Sequence, residues 1–128
     1  MEKKILFVED DEDIRDILET TFSEEGYNVV AIETGEQALE ILNKENIQVM
    51  FLDMKLPGMN GLELCKEIRK ISPVACIYAV TGYSSLFELV DCREAGFDDY
   101  FVKPVKTEVL LHAADEAFKR LERWKRRP

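Results

Sequence analysis

Oxygen-bearing side chains and one lysine follow the apolar segments of this chain, at the points where strands would end. The residues in question are Glu9, Asp10, Asp53, Thr81 and Lys103. Carboxylates crowded into one crevice repel one another strongly unless a hard divalent cation joins them. Mg²⁺ suits that role, since it prefers oxygen ligands and is typically held by one or two carboxylates beside a phosphate. These residue types predict a magnesium-dependent phosphoryl site if the fold brings the segment ends together.

Phosphoryl transfer is the reaction that this set of side chains can support. A carboxylate such as that of Asp53 can attack phosphorus and form an acyl phosphate. The transfer needs positioning and neutralisation of charge on the equatorial oxygens. Mg²⁺ on Asp10 and Asp53 would cover one oxygen, the Lys103 ammonium a second and the Thr81 hydroxyl a third. Each residue alone could instead cap a helix or form a turn, but the four segment ends together favour a site.

Apolar strands alternate with amphipathic helices five times along the chain. Strands are predicted over residues 4–8, 27–32, 48–52, 75–80 and 99–102, as short and almost continuously apolar runs. Helix starts are marked by capping boxes at Thr34, Asn60 and Ser85, and helix ends by Gly26 and Gly96. The last helix is predicted from Lys106 to about Trp124.

This alternation predicts one α/β domain with a parallel sheet and right-handed crossovers. Five units are too few for an eightfold barrel. The expected architecture is a (βα)5 flavodoxin-like doubly wound sheet of strand order 2-1-3-4-5, with its functional crevice at the carboxyl ends of strands one and three. All the candidate site residues follow strands of this sheet, so the fold would collect them at one edge.

Composition excludes several classes of protein. With 128 residues and 46% hydrophobic residues, the chain fits one globular domain. A net charge of −9 argues against a general nucleic-acid binder. The apolar runs are too short to cross a bilayer, and no signal-peptide pattern follows Met1, so a cytoplasmic protein without membrane contact is expected. Cysteines 65, 76 and 92 lie in separate segments and are predicted to pack in the interior.

The end of the chain differs from the rest in charge. Residues 119–128 carry six Lys or Arg and one Glu, although the whole chain is acidic. We expect residues 1–124 to form the domain and residues 125–128 to be a basic tail or the start of a linker. Trp124 near this basic end is either a solvated helix residue or a contact for a partner or a second copy.

Five segments carry a resemblance to a known family. They are residues 5–11 (ILFVEDD), 52–61 (LDMKLPGMNG), 80–82 (VTG), 95–96 (AG) and 100–104 (YFVKP). Each is weak alone, but together, in this order and spacing, they are highly specific. Over essentially its whole length the chain resembles the response-regulator receiver family of two-component signalling. The resemblance implies a signalling domain that catalyses only its own aspartyl phosphorylation and dephosphorylation.

The resemblance also implies a role for each site residue. Asp53 would accept a phosphoryl group from a sensor histidine kinase or a histidine phosphotransfer protein, with Lys103 and Thr81 completing the pocket. Asp10 would bind Mg²⁺ directly, Glu9 would act through a metal-bound water, and the Lys55 backbone carbonyl would be a further ligand. Asp11 leaves the register of the acidic pair one residue ambiguous, and we favour Glu9-Asp10 with Asp11 as the helix cap.

A conformational switch is implied by the same family. Thr81 would move towards the phosphate and Tyr100 would swing inward behind it. The face made by the fourth helix, fifth strand and fifth helix would then change, for an effector domain or protein or for a phosphorylation-dependent homodimer. The Lys103–Pro104 peptide is expected to be cis.

Lys55 and Tyr83 stand two residues after Asp53 and Thr81. They would flank the line along which water attacks the acyl phosphate, so both are expected to modulate its lifetime. The same pair resembles the single-domain intermediates of phosphorelays.

Three other functions compete with this interpretation. A haloacid-dehalogenase-like phosphatase also uses Asp and Mg²⁺, but its nucleophile follows its first strand as an Asp-x-Asp pair, whereas Lys55 stands two residues after Asp53. A receiver that works by docking alone would not need the complete pocket. A dinucleotide-binding domain would need glycines after its first strand, where this chain has acids.

Overall fold

The computed structural model describes residues 2–82 and 86–126. The strands of this part are β1 (Lys4–Val8), β2 (Asn28–Ile32), β3 (Val49–Asp53), β4 (Cys76–Thr81) and β5 (Asp99–Val102). The helices are α1 (Glu12–Glu24), α2 (Gly35–Leu42), α3 (Gly61–Ile71), α4 (Leu86–Ala95) and α5 (Thr107–Arg126). Strands and helices alternate, as the sequence predicts.

The strands of the described residues form one parallel sheet of order β2-β1-β3-β4-β5. The predicted (βα)5 flavodoxin-like topology is therefore confirmed. The register pairs Asp53 with Val80 and Thr81 with Val102. Because the strands are parallel and in this register, their carboxyl ends meet at one edge of the sheet.

Two apolar layers cover the sheet, one on each face. Leu6, Met50 and Ile77 point to the layer that also holds Leu64 of α3 and Cys92 of α4. Phe7 and Phe51 point to the other face, where they pack with residues of α1 and α5 such as Phe22 and Leu110. Continuous burial on both faces explains why the central strands are apolar without alternation.

Side-chain caps start the helices that approach the site edge. Asp11 accepts hydrogen bonds from the backbone N–H groups of Asp13 and Ile14, so it caps α1. Thr34 and Asn60 form complete capping boxes for α2 and α3. The predicted box at Ser85 lies outside the described residues. These caps satisfy backbone donors at the helix starts and fix where each βα loop ends.

The predicted boundaries agree with the structure to within one or two residues. Asp53 is the last residue of β3 rather than the first residue after it. The last helix begins at Thr107, one residue later than expected. Cys65, Cys76 and Cys92 are buried thiols, as predicted. No helix in the described part of the chain is both long and apolar enough to cross a membrane.

Candidate functional site

Three carboxylates converge at the carboxyl edge of the described sheet. Glu9 and Asp10 follow β1 and Asp53 ends β3, and each offers an oxygen within 4.8 Å of the other two. Glu9 and Asp53 are buried, each at 6% exposure, whereas Asp10 is exposed. The fold therefore brings together residues that are far apart in sequence, as the strand-end argument predicts.

Lys103 is the cation that meets this cluster. Its Nζ lies 3.0 Å from Asp53 Oδ2 and 3.3 Å from Glu9 Oε1. The backbone N–H of Lys103 donates to the carbonyl of Thr81 over 2.7 Å, which fixes the end of β5 beside β4. Burial lowers the pKa of the lysine, but the hydrogen bond and charge of Asp53, with those of Glu9, outweigh burial and leave the pKa raised. Lys103 is therefore protonated at neutral pH.

Glu9 shows that the negative charge of the cluster exceeds what Lys103 can balance. Burial is the largest influence on its carboxyl, and the charge of Asp53 adds to it. The hydrogen bond from the Asp11 N–H and the charge of Lys103 act in the opposite direction. The net result raises the pKa of Glu9 to about 7. A buried carboxyl with so high a pKa is typical of sites that bind a cation or perform chemistry.

The residues present fit a hard divalent cation. All the ligands that Glu9, Asp10 and Asp53 offer are carboxylate oxygens, and the cluster carries excess negative charge. Such donors suit Mg²⁺ rather than a soft metal. Lys55 supplies its backbone N–H to Asp53 Oδ1 at 3.1 Å, which orients the Asp53 carboxylate.

The loop after β3 is held against Asp53 by close backbone contacts. The Met54 N–H donates to the carbonyl of Val80, and the Gly61 N–H donates to the carbonyl of Met54. A Cβ at Gly61 would lie 2.6 Å from the Asp53 carbonyl oxygen and 2.8 Å from Met54 Cα. Only glycine therefore lets α3 start so close to Asp53.

Arg15 of α1 is a site neighbour that sequence reasoning missed. Its Nη1 donates to the backbone carbonyl of Glu9 over 2.8 Å, while the Glu9 N–H donates to the carbonyl of Ile32. The Glu9 peptide is thus fixed from both sides. Its position in the sequence could have identified it. Arg15 lies three residues before Leu18 and seven before Phe22, which places it on the buried face of α1.

The expected switch residues occupy different environments. Thr81 is buried at 2% exposure, and its hydroxyl approaches Glu88 of α4 at 3.5 Å. Tyr100 on β5 is exposed, at 36%. The Lys103–Pro104 peptide is cis, as predicted. Tyr83, the predicted modulator, lies outside the described residues.

An apolar cavity of about 470 Å³ opens beside the acidic cluster, between α1 and α5. Asp53, Glu9 and Lys103 lie at its polar end. The apolar lining includes Phe7, Ile14, Ile17, Phe51, Pro104 and Leu110. Sequence reasoning did not find this cavity, because it depends on how closely two helices approach each other.

Comparisons with known proteins point to one family. The sequence profile of the family described as the response regulator receiver domain matches residues 5–115. Sporulation initiation phosphotransferase F of Bacillus subtilis is 38% identical over 113 residues, which are 88% of this chain and 91% of that protein. A solved CheY-like response regulator receiver domain protein from Methanospirillum hungatei JF-1 is 35% identical, with a TM-score of 0.91 over 96% of this chain and 98% of that one.

Several relatives are longer than this chain. An uncharacterized transcriptional regulatory protein of Bacillus subtilis, YrkP, is 40% identical over 110 residues. The match covers 86% of this chain but 47% of that protein. The chain thus spans about half the length of this relative.

Proposed function

The chain belongs to the response regulator receiver domain family of two-component signalling, and we propose that Asp53 is its phosphoacceptor. The phosphoryl group would come from a phosphohistidine on a sensor histidine kinase or a histidine phosphotransfer protein. The observation that carries this proposal is the convergence of Glu9, Asp10 and Asp53 within 4.8 Å, with Lys103 3.0 Å from Asp53. The chain would then be a signalling switch whose only catalysis is its own phosphorylation and dephosphorylation.

The transfer follows from the geometry of Asp53. One carboxylate oxygen forms the new bond to phosphorus, while the bond from phosphorus to the donor breaks and the donor leaves with that electron pair. Oδ1 accepts the Lys55 N–H and Oδ2 accepts the Lys103 ammonium, so the carboxylate is held before reaction. After transfer, the Lys103 ammonium would offset the charge of one phosphoryl oxygen and the Thr81 hydroxyl would donate a hydrogen bond to another.

We assign the binding of Mg²⁺ to the carboxylates of Glu9, Asp10 and Asp53 and to the backbone carbonyl of Lys55. When bound, the ion neutralises negative charge on the carboxylates and on the phosphoryl oxygens. Asp10 would bind the ion directly and Glu9 would act through a metal-bound water, while Glu9 also contacts the Lys103 ammonium at 3.3 Å.

The partner surface proposed for the phosphodonor is the mouth of the apolar cavity. Ile17 on α1 is 57% exposed, and Pro104 lies on the same rim, beside Lys103 and Asp53. A helix that presents a phosphohistidine could bury apolar side chains there while its imidazole reaches Asp53. Exposed apolar residues next to a reactive carboxylate support docking of a protein donor.

The output surface proposed is the face of α4, β5 and α5. Val90, Tyr100, Val102 and Val109 are all at least one-third exposed on it. Inward movement of Tyr100, behind Thr81, would change this face for an effector domain or protein or for a phosphorylation-dependent homodimer. In this proposal the exposed Tyr100 corresponds to the unphosphorylated form.

The lifetime of the acyl phosphate is assigned to Lys55 and Tyr83. Both would flank the path of the attacking water, so Tyr83→Ala is expected to shorten the half-life of the phosphorylated form. An unchanged half-life would contradict this role. We further propose that residues 1–124 act as the receiver unit in the cytoplasm and that the basic residues 125–128, of which Lys125 and Arg126 still belong to α5, serve as a tail or the start of a linker.

Intact-mass spectrometry tests the proposal. The protein is incubated with acetyl phosphate with and without Mg²⁺, next to Asp53→Asn and the control Asp91→Asn, which changes an exposed residue of α4. A gain of one phosphoryl group is expected for the wild type and the control, only with Mg²⁺, and no gain for Asp53→Asn. Phosphorylation of folded Asp53→Asn at the wild-type rate would contradict the assignment.

A further inference from the structure

A carboxylate of α4 competes for the hydroxyl that the proposed function assigns to the phosphoryl group. Thr81 Oγ1 donates to Glu88 Oε2 over 3.5 Å. Thr81 is buried and Glu88 is half-buried in the first turn of α4. The residue that would sense the phosphate is therefore turned towards α4 in this structure.

The hydroxyl of Thr81 has one proton to donate. It can donate that proton to Glu88 or to a phosphoryl oxygen on Asp53, but not to both. At 3.5 Å the contact with Glu88 is long for a hydroxyl and a carboxylate, so exchanging it for a phosphoryl oxygen costs little. A weak contact of this kind can hold a resting state and still be released.

Charge makes the exchange directional. An acyl phosphate at Asp53 carries about two negative charges where the free carboxylate carries one, so phosphorylation adds about one negative charge to the pocket that Thr81 would face. Glu88 is half-buried, so water screens this repulsion less than it would at the surface. Phosphorylation thus breaks the hydrogen bond from Thr81 to Glu88 and repels the Glu88 carboxylate. Both effects favour movement of the first turn of α4 away from the pocket.

We propose that Glu88 is a positioning residue of the switch. It holds Thr81 towards α4 while Asp53 is unphosphorylated, and its charge opposes the phosphorylated arrangement until the first turn of α4 moves away. This inference rests on the proposed function, because it takes Asp53 as the phosphoacceptor. It adds a residue on α4 that links the pocket to the output face.

The test measures the affinity for beryllofluoride, a phosphoryl mimic, in the presence of Mg²⁺ by ¹⁹F NMR titration. Glu88→Gln keeps an acceptor of the same shape and removes the charge. Glu88→Leu removes both the acceptor and the charge. Glu94→Gln is the matched control, because it makes the same chemical change on an exposed residue of the same helix. Urea unfolding of each variant confirms that it is folded.

Tighter binding is expected for both Glu88 variants. Removal of one charge near a dianion should lower the dissociation constant roughly five- to tenfold for Glu88→Gln. Glu88→Leu should bind at least as tightly, since its Thr81 hydroxyl is also released, and Glu94→Gln should match the wild type. A merely structural role would weaken binding in proportion to lost stability, so tighter binding separates the two.

The outcomes distinguish this inference from the proposed function. Equal or weaker beryllofluoride binding by folded Glu88→Gln, with the wild type binding normally, overturns the role of Glu88 and leaves Asp53 as the acceptor. If the folded wild type binds no beryllofluoride with Mg²⁺, the proposed function fails and the inference fails with it. Equal tightening by Glu94→Gln would show a general charge effect and would also overturn the role of Glu88.

Discussion

The two ends of the sheet gather charged side chains in opposite proportions. At the carboxyl end, Lys103 contacts Glu9 and Asp53, and Asp10 lies beside these two carboxylates, so the acidic groups outnumber the cation. At the amino end, Asp98 lies between the guanidinium groups of Arg69 and Arg120, at 2.9 and 3.0 Å. The first cluster has too few donors for its carboxylates, and the second has a surplus of donors around one carboxylate.

In the amino-end cluster, the charged groups form hydrogen bonds with one another and with nearby backbone groups. Arg69 donates to the carbonyls of Gly96 and Ala75 over 2.8 and 2.7 Å as well as to Asp98. Asp98 Oδ2 also accepts the N–H of Ile77 over 2.8 Å, and Oδ1 accepts Arg120. These bonds join α3, β4 and α5 without any added ligand.

The contrast teaches how to separate a structural charge cluster from a functional one in the same domain. Both are partly buried and both contain ion pairs, so neither burial nor an ion pair identifies the site. The distinguishing feature is the excess of carboxylates over cations at the carboxyl end, where burial, with the charge of Asp53 added, raises the pKa of Glu9 to about 7. Excess charge of this kind is stabilised when a cation binds.

The largest effect on stability is expected at the structural cluster. Asp98→Ala leaves Arg69, Arg120 and the Ile77 N–H without their shared acceptor, and should lower the free energy of unfolding by about 3 kcal/mol. Asp98→Asn should lose less, because an amide oxygen can still accept from Ile77. Urea unfolding measures both, and the losses should not change with Mg²⁺. If Mg²⁺ restored the stability that Asp98→Ala loses, the amino-end cluster would be coupled to the metal site, and the distinction between the two clusters would be wrong.

A smaller loss is expected when the cation of the site is removed. Lys103→Met leaves the carboxylates of Glu9 and Asp53 without their ion pair and should cost about 2 kcal/mol in metal-free protein at pH 8. Added Mg²⁺ should recover part of this loss, since it can replace the missing charge. Lys106→Met is the control, because Lys106 is exposed. Equal losses in the two variants would mean that Lys103 does not balance the cluster.

The backbone that carries Asp53 can be tested through two glycines that each begin a helix. Gly61→Ala would place a Cβ 2.6 Å from the Asp53 carbonyl oxygen, whereas Gly35→Ala would find its nearest neighbour, Met59, at 3.4 Å. We expect Gly61→Ala to cost about 1–2 kcal/mol in urea unfolding and to slow phosphorylation. Gly35→Ala should be close to neutral in both. Equal behaviour would show that the loop absorbs the extra methyl group.

The smallest effect expected is a gain in stability. A folded-state pKa of about 7 for Glu9, against an ordinary value of 4.5, means that the folded protein binds a proton that the unfolded chain has lost. The contribution of Glu9 to stability is therefore full below pH 4.5 and falls as the pH rises towards 7. Metal-free Glu9→Gln should lack this fall and gain about 1 kcal/mol at pH 8.

Thermal or urea unfolding from pH 5 to 8 measures this gain, with the exposed Glu19→Gln as control. Mg²⁺ should reverse the order, because the wild type binds the ion better than Glu9→Gln does. If the metal-free wild type were as stable at pH 8 as Glu9→Gln, the ionised Glu9 carboxylate would not destabilise the folded protein, and this prediction would be wrong.

The carboxyl-end cluster could be predicted from sequence, whereas the amino-end cluster could not. Parallel strands bring their ends to one edge, so the residues after Val8, Leu52 and Val102 had to meet once the alternation was recognised. Arg69 and Asp98 follow no such rule. In sequence they resemble the other charged residues of α3 and of the loop before β5, and their contact depends on how α3 packs against that loop.

The same limit applies within the site. Side chains that act through their own strand, such as Asp53 and Lys103, were identified by position. Arg15 and Glu88 reach the site from helices, so their contribution depends on helix rotation and on side-chain length. Tertiary packing sets both quantities, and the sequence pattern constrains them only loosely.

Chemical localisation of the phosphoryl group identifies the residue that accepts it. After reaction with acetyl phosphate and Mg²⁺, borohydride reduces an aspartyl phosphate to homoserine, and peptide mass spectrometry locates the changed residue. The account predicts homoserine at position 53 when Mg²⁺ is present and an intact Asp53 when the metal is chelated. Reduction at Glu9 or Asp10, or at Asp53 without metal, would contradict the claim that the uncompensated carboxylates form one magnesium-dependent phosphoacceptor site.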